Sequence, residues 1–224
     1  GCCVFGFCRV LVCRVVLFFL IARRPPGATQ GGSSAASDVY RGQDSGRSGV
    51  TWLIDPLDGT INYLWGVPQW SVSIAAVDRD GGLVGVVHDP CRGETFTAAR
   101  GAGARLGGVP IAVRRGAPLE EALIGTGFSY RAEERTRQAE RLLRVLPAVR
   151  DVRRFGSAAL DLAWVAAGRF DGYFETGLNP WDRAAGELLV TEAGGVVHEL
   201  PGAGLVAAEP ALVGPLRALV DDAP

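Results

Sequence analysis

The pattern of hydrophobic and polar residues divides the chain into three parts. Residues 1–22 are mostly apolar but contain Arg9 and Arg14, whereas residues 27–49 are rich in Gly, Ser and Ala. From residue 50 onward, short apolar runs alternate with amphipathic stretches, as expected of a folded domain. We therefore predict an atypical apolar, Cys- and Arg-rich segment at 1–26, a linker or loop at 27–49, and a domain at 50–222 with lobes at about 50–120 and 121–222.

Within the predicted domain, short apolar runs indicate strands and longer periodic stretches indicate helices. The expected strands are 50–54, 70–77, 83–88, 94–99, 122–125, 172–175, 196–200 and 204–208. The expected helices are 132–145, 157–167, 181–193 and 212–220. Ser157 and Asn179 suit the N-cap positions of the second and third helices, and Gly168 and Gly194 suit their ends. This mixture predicts an α/β fold built from packed layers.

Composition excludes some classes of partner. The formal net charge is -1, which gives no general basis for binding nucleic acid or an anionic membrane. The apolar run at 15–22 is shorter than the roughly 20 residues that a membrane-spanning helix needs. Two explanations of the apolar start stay open, a targeting signal and a mistranslated or fragmentary beginning. Outside the first thirteen residues the chain has a single cysteine, Cys91, so we predict no disulfide framework and a cytoplasmic location.

The most informative chemistry lies in residues 55–60, which read Asp-Pro-Leu-Asp-Gly-Thr. An apolar strand delivers Asp55, and Asp58 follows three residues later. Two carboxylates held together repel each other unless one is protonated or a cation lies between them. Such hard oxygen ligands favour magnesium, manganese or calcium. Thr60 suits the cap of a short helix with N–H groups free for an anion. Taken alone, this segment is more typical of a surface turn, because Asp and Gly are turn formers.

A second acidic residue, Asp182, stands in the first turn of the predicted helix 181–193. Its simplest role is to complement the positive end of the helix dipole. The small residues at 184–186 that follow it permit either close helix packing or room for a ligand.

Two stretches together resemble the signatures of the inositol monophosphatase family. Residues 55–60 resemble the first, and residues 181–195, from Trp-Asp-Arg-Ala-Ala-Gly to Glu-Ala-Gly-Gly, resemble the second. The resemblance runs from about residue 46 to near the C-terminus and includes Gly-Ser-Ala-Ala at 156–159. It implies an alternating α-β-α-β-α sandwich, magnesium-dependent and lithium-sensitive hydrolysis of a small phosphate monoester by a metal-activated water, and a homodimer.

The resemblance also implies roles for individual residues. Magnesium ions would be held by Asp55, the Leu57 carbonyl, Asp58 and Asp182. Thr60 would help to orient the water, and Gly59 and Thr60 would hold phosphate oxygens through their N–H groups. The alcohol part of the substrate would face Gly156, Ser157, Ala158, Glu175 and Asp182.

The chain departs from the family pattern upstream of Asp55. A metal-binding glutamate of the family corresponds here to Gln43, followed by Asp44, and either would be a further candidate ligand. A glutamine side chain cannot act as a base at neutral pH. The two helices that precede this segment in the family have no convincing counterpart and are missing or replaced. The default substrate is myo-inositol monophosphate; a histidinol-phosphate phosphatase and a catalytically impaired metal-binding relative are the alternatives.

Overall fold

The computed structural model describes residues 49–221 and the backbone of residues 43–45. The strands are β1 (Gln43–Ser45), β2 (Thr51–Asp58), β3 (Ser71–Asp78), β4 (Gly81–Asp89), β5 (Glu94–Ala99), β6 (Gly103–Leu106), β7 (Val109–Ile111), β8 (Leu123–Thr126), β9 (Asp151–Arg153), β10 (Gly172–Glu175), β11 (Val196–Leu200) and β12 (Gly204–Ala208). The α-helices are α1 (Thr60–Leu64), α2 (Ala132–Val145), α3 (Ala158–Ala166), α4 (Pro180–Glu192) and α5 (Pro210–Val220).

The strands form two sheets. β1 to β7 make an antiparallel sheet in chain order. The second sheet has the order β11-β12-β10-β8-β9. In it β8, β9 and β10 run parallel to one another, and β12 runs antiparallel to both of its neighbours, β10 and β11. Sheet one therefore holds residues 43–111 and sheet two holds residues 123–208.

Helices α3 and α4 lie between the two sheets and share one apolar core with both of them. The alternation of side chains along β10 shows how the second sheet is covered on both faces. Tyr173 packs into the core with α3 and α4, whereas Phe174 packs on the opposite face against α5. The described residues thus form sheet, helix, sheet and helix layers, which confirms the α/β prediction. The outer helical layer expected before β1 lies outside the described residues.

Most predicted elements are present, with three kinds of correction. Strand β2 does not end before Asp55 but continues to Asp58. β6, β7 and β9 were not predicted, because each has only three or four residues and its apolar residues are interrupted by glycine, proline or charged residues. β1 lies inside the segment predicted as a linker, and its backbone pairs with β2. Among the described residues, the structure has no helix that is long and apolar enough to cross a membrane.

The small residues at 184–186 serve close packing of α4 rather than an open space. A Cβ added at Gly186 would lie 2.6 Å from the Leu162 Cβ on α3. On the other side of α4, a Cβ added at Gly85 of β4 would lie 2.9 Å from the Ala185 carbonyl oxygen. Both contacts are closer than a methyl group tolerates, so α4 is held tightly between α3 and the first sheet.

We expect Gly186→Ala to lower the free energy of unfolding by about 1–3 kcal/mol, because the added methyl must displace Leu162 in a closely packed core. Equilibrium denaturation in urea measures this loss. The control is Gly214→Ala in α5, where an added Cβ meets no atom within 4 Å and helix propensity favours alanine, so no loss of stability is expected. Equal effects at the two glycines would contradict the close packing of α3 on α4.

Candidate active site

A β-bulge in β2 places Asp55 and Asp58 on the same face of the first sheet. Asp55 pairs with Ser73 and Asp58 pairs with Ser71, so two residues of β2 stand opposite one residue of β3. In a regular strand, residues three positions apart would point to opposite faces. Pro56 is tolerated inside the sheet because a bulge interrupts the ladder of backbone hydrogen bonds. The segment is therefore a bulged strand and not the surface turn considered above.

The Asp58 carboxylate is held by donors from the second half of the chain. Its Oδ2 accepts a hydrogen bond from the Ser157 hydroxyl at 2.6 Å and from the Ala159 backbone N–H at 2.9 Å. The Ser71 hydroxyl on β3 lies 3.5 Å from the same oxygen. The donors of Ser157 and Ala159, at the beginning of α3, fix the orientation of Asp58 and leave its Oδ1 for a ligand.

Asp182 is fixed by the residue that caps its own helix. Its Oδ2 accepts hydrogen bonds from the Asn179 backbone N–H at 2.8 Å and from the Asn179 side-chain amide at 3.0 Å. This satisfies a backbone donor at the start of α4. Asp182 also raises the pKa of Asp55 through its charge, so the two parts of the acidic cluster lie close together.

The loop after Asp58 turns sharply at Gly59, whose φ of 87° and close neighbours exclude larger residues. A Cβ there would lie 2.9 Å from the Gln69 carbonyl oxygen. Gly59 is the N-cap residue of α1, so the prediction that Thr60 caps this helix is wrong by one position. The Thr60 hydroxyl instead donates to the Leu57 carbonyl at 2.9 Å, and the Leu57 N–H donates to Asp55 Oδ1 at 3.0 Å.

One cleft of about 180 Å³ brings together almost all the predicted site residues. Its lining includes Asp55, Leu57, Asp58, Gly59, Thr60, Gly156, Ala158, Glu175 and Asp182. The carboxylates come from β2, β10 and α4, so both sheets and the helices between them contribute. The side chains of Gln43 and Asp44 are outside the described residues, although their backbone pairs with Leu53 and Trp52 of β2, close to Asp55 in the chain.

Ser157 is the predicted site residue that does not line the cleft. It is fully buried, and its hydroxyl is used in the hydrogen bond to Asp58. It is the N-cap residue of α3 as predicted, but its side chain makes no capping hydrogen bond. In the structure this hydroxyl positions Asp58, and the expected contact of Ser157 with the substrate alcohol stays a prediction.

Sequence reasoning missed Arg154, the only basic residue among those that line the cleft. Its guanidinium lies beside the backbone at Gly156, where an added Cβ would be 2.6 Å from Nη1. Asn62 was also missed; its amide donates to the Phe155 carbonyl at 2.6 Å and the Gln69 carbonyl at 2.7 Å, which ties α1 to the Gly156 segment. Arg154 stands close to Gly156 in the sequence, and this was the one signal that could have identified it as a site residue.

Burial and mutual repulsion raise the pKa of three carboxyl groups in the cleft. Burial, then the charge of Asp58, raise the pKa of Asp55 to about 8, against a lowering hydrogen bond from the Leu57 N–H. Burial and the charge of Asp182 raise the pKa of Asp58 to about 7, although its bonds from α3 oppose this. Burial raises the pKa of Glu175 to about 7, while the Tyr173 hydroxyl and Arg154 act in the opposite direction. The cleft thus contains negative charge that a cation would neutralise.

The donor set fits a divalent cation bound by oxygen atoms. Asp55 and Asp58 are only 2% and 8% exposed, so bulk water solvates neither carboxylate well. Within the part of the chain that the structure describes, no three His, Cys, Asp or Glu side chains by themselves form a metal centre. A complete coordination shell would therefore need the Leu57 carbonyl, a substrate oxygen, or a side chain of residues 43–45.

Comparisons with known proteins agree with this geometry. The model described as Inositol monophosphatase family matches residues 28–220. Nus factor SuhB of Escherichia coli (strain K12) is 49% identical over 154 residues, which are 68% of this chain and 58% of that protein. The chain thus spans less than two thirds of the length of such curated relatives.

Solved structures share the fold. SuhB of Mycobacterium tuberculosis matches with a TM-score of 0.73 and 45% identity over 76% of this chain and 71% of that one. The inositol monophosphatase of Anabaena (Nostoc) sp. PCC 7120 matches with a TM-score of 0.74 and 38% identity over 79% of this chain and 73% of that one.

Proposed function

This chain belongs to the inositol monophosphatase family, and on that premise we propose that its cleft hydrolyses a small phosphate monoester with the help of Mg²⁺. The observation that supports the proposal is the convergence of Asp55, Asp58, Glu175 and Asp182 on one cleft. Three separate parts of the chain supply these carboxylates, and burial raises the pKa values of Asp55, Asp58 and Glu175. The default substrate is a myo-inositol monophosphate.

Bound Mg²⁺ would be held by Asp55, Asp58, Asp182 and the Leu57 carbonyl, where it would neutralise the phosphate and acidify a water molecule. The chain itself orients the reactants. Because the Thr60 hydroxyl donates its proton to the Leu57 carbonyl, its oxygen can only accept, and it would accept a hydrogen bond from the attacking water. The hydrogen bonds from α3 keep Asp58 Oδ1 facing the cleft while Oδ2 is occupied.

The far side of the cleft would bind the rest of the substrate. Glu175 accepts a hydrogen bond from the buried Tyr173 hydroxyl, which fixes the carboxylate beside Gly127. A fixed carboxylate accepts hydrogen bonds from substrate hydroxyl groups. Arg154 supplies the one guanidinium in the lining and would attract the anionic substrate.

A phosphate-release assay tests this proposal. The purified chain is incubated with Mg²⁺ and with myo-inositol 1-phosphate or histidinol phosphate, and inorganic phosphate is measured. We expect turnover that is abolished by a chelator and restored by Mg²⁺. Faster turnover of histidinol phosphate would assign the chain to the alternative substrate, and no turnover of any monoester would refute the enzymatic proposal.

A second candidate is a relative without catalytic function that binds metal or a partner. Two observations favour it: the curated relatives carry the name Nus factor, and Gln43 stands where the family has a glutamate. Gln43→Glu distinguishes the two candidates. A gain in the rate of phosphate release indicates an impaired metal site, whereas activity that is measurable beforehand and does not increase indicates that the site is already complete.

We expect Ser157→Ala to lower kcat/KM for the monoester by about 10- to 100-fold, because Asp58 loses its shortest hydrogen bond. The loss should appear in kcat and in the apparent affinity for Mg²⁺, with KM for the substrate little changed, since Ser157 does not line the cleft. Ser157→Thr keeps the hydroxyl and should recover part of the activity. A change confined to the substrate KM would restore the original assignment to substrate binding.

The homodimer remains part of the proposal. Exposed apolar side chains next to the cleft-forming loop, Leu64, Trp65 and Val67, offer a surface that water solvates poorly. Light scattering coupled to size-exclusion chromatography gives the oligomeric state of the chain and of Trp65→Ser. The cytoplasmic location predicted from the cysteine pattern stays a prediction.

A further inference from the structure

Strands β8 and β10 meet the cleft at their carboxyl ends, where neighbouring residues differ greatly in size. The two strands are parallel, and Tyr173 on β10 pairs with Gly125 on β8. Two residues further along, Glu175 ends β10 and Gly127 directly follows β8, and both line the cleft. Since alternate residues of a strand share a face, Tyr173 and Glu175 point to the same side, and the chain of β8 presents only glycine there.

The side chains of β10 occupy the space that these glycines leave free. A Cβ added at Gly127 would lie 2.0 Å from Oε2, 2.1 Å from Cδ and 2.2 Å from Oε1 of Glu175. A Cβ added at Gly125 would lie 3.0 Å from Cδ2 of the Tyr173 ring. The Glu175 carboxylate thus fills the place of a side chain at position 127, and any residue larger than glycine would displace it.

The Tyr173 hydroxyl holds the same carboxylate from within the core. Tyr173 is fully buried and donates its proton to Glu175 Oε2. This hydrogen bond favours the charged form of Glu175, against the burial that raises its pKa to about 7. Within the described part of the chain, no second group donates to the carboxylate, so Oε1 is left to accept from a ligand in the cleft.

The position of this carboxylate can be changed with little effect on the fold. Gly127 is not among the glycines with positive φ, so alanine can adopt its backbone conformation. The three atoms nearest to an added Cβ all belong to the end of the Glu175 side chain, which can rotate away. Gly127→Ala would therefore move the carboxylate and leave the strands in place.

We propose that Gly127 and Tyr173 are positioning residues that set the substrate specificity of the cleft, because they hold the Glu175 carboxylate where it accepts a hydrogen bond from a substrate hydroxyl group. This inference rests on the phosphatase function proposed above. Asp55 and Asp58 act on the phosphate group, which all monoesters share. The held carboxylate selects polyol phosphates over monoesters whose alcohol part has no free hydroxyl group.

The test compares myo-inositol 1-phosphate with cyclohexyl phosphate, which has a six-carbon ring without free hydroxyl groups. Gly127→Ala is expected to lower the ratio of kcat/KM for the inositol phosphate to that for cyclohexyl phosphate by about tenfold or more, since a hydrogen bond to a charged acceptor is lost. Tyr173→Phe should lower the ratio in the same direction. Gly214→Ala in α5 is the matched glycine-to-alanine control and should leave the ratio unchanged. An unchanged ratio in Gly127→Ala overturns the proposal.

A double-mutant cycle distinguishes positioning of Glu175 from any other role of Gly127. Glu175→Ala should itself lower the ratio by about tenfold or more. In that background the added methyl group has no carboxylate to displace, so Gly127→Ala should cause no further fall. A further fall of similar size in the double variant would mean that Gly127 acts on something else and would overturn the proposal.

Equilibrium binding separates this inference from the phosphatase proposal. If the wild-type chain hydrolyses neither phosphate, the enzymatic proposal fails, and calorimetric titration with the same two phosphates in the presence of Mg²⁺ decides the specificity alone. Tighter binding of the inositol phosphate, with a preference that Gly127→Ala reduces about tenfold or more, supports the inference. Equal Kd values for the two phosphates in the wild-type chain, or binding of neither, overturn it.

Discussion

Asp58→Asn is expected to lower kcat/KM for the phosphate monoester by about a thousandfold or more, equivalent to roughly 4 kcal/mol of transition-state stabilisation. Asparagine keeps the shape and can still accept the hydrogen bonds from α3, so the change removes the charge and little else. Steady-state phosphate release at saturating Mg²⁺ measures the loss.

The same substitution should stabilise the metal-free fold. Asp58 is buried among other carboxylates, and its neutral replacement removes their repulsion. Denaturation in urea at pH 8 with a chelator should show a higher free energy of unfolding for Asp58→Asn than for the wild-type chain. Asp80→Asn, on the exposed β3–β4 turn, is the control for both measurements and should change neither. Activity of Asp58→Asn within about tenfold of wild type would exclude Asp58 as a metal ligand.

Without divalent ions, the fold is expected to lose stability as the pH rises from about 4 to about 8. The pKa of Asp55 is about 8 in the folded chain against an ordinary value of 3.8, and the pKa values of Asp58 and Glu175 are raised to about 7. The folded state therefore binds more protons than the unfolded state throughout this range, and stability falls as those protons are lost. For Asp55 alone the effect is on the order of 5 kcal/mol.

Mg²⁺ should reverse this loss, because the ion replaces the protons as the neutralising charge. The increase in Tm on adding Mg²⁺ is expected to be large at pH 8 and small at pH 5, where the carboxyls are protonated. Calorimetry with chelator or Mg²⁺ at matched ionic strength tests both statements. The double variant Asp55→Asn/Asp58→Asn should lose most of the pH dependence and of the response to Mg²⁺. A wild-type Tm that does not change between pH 5 and 8 would contradict the repulsion described for the cleft.

The sequence singled out the acidic residues that meet in the cleft, because each stands in a short motif that can be recognised locally. Asp55 and Asp58 follow a strand that reads clearly as apolar, and Asp182 follows the residue that caps its helix. The sequence did not reveal how β2 brings the carboxylates of Asp55 and Asp58 to one face of the sheet. The bulge depends on the register between β2 and β3, which is a property of the pair of strands and not of either one.

Long-range contacts account for the other differences. Ser157 was a reasonable N-cap from its neighbours alone, but its hydroxyl is used by Asp58, a residue 99 positions earlier. Arg154 lines the cleft because loops from both sheets meet there, and periodicity does not report such a meeting. The short strands β6 and β7 follow glycine-rich turns and are defined by backbone pairing, β6 with β5 and β7 with β6.

The hydrogen bonds that hold Asp58 also determine when the cleft can form during protein synthesis. A ribosome releases Asp55 and Asp58 about a hundred residues before Ser157 and Ala159, so both carboxylates are still hydrated while β2 and β3 pair. Their desolvation must wait until α3 and α4 dock between the sheets, a late event in a chain dominated by distant contacts. Divalent ions should therefore slow unfolding much more than they accelerate refolding.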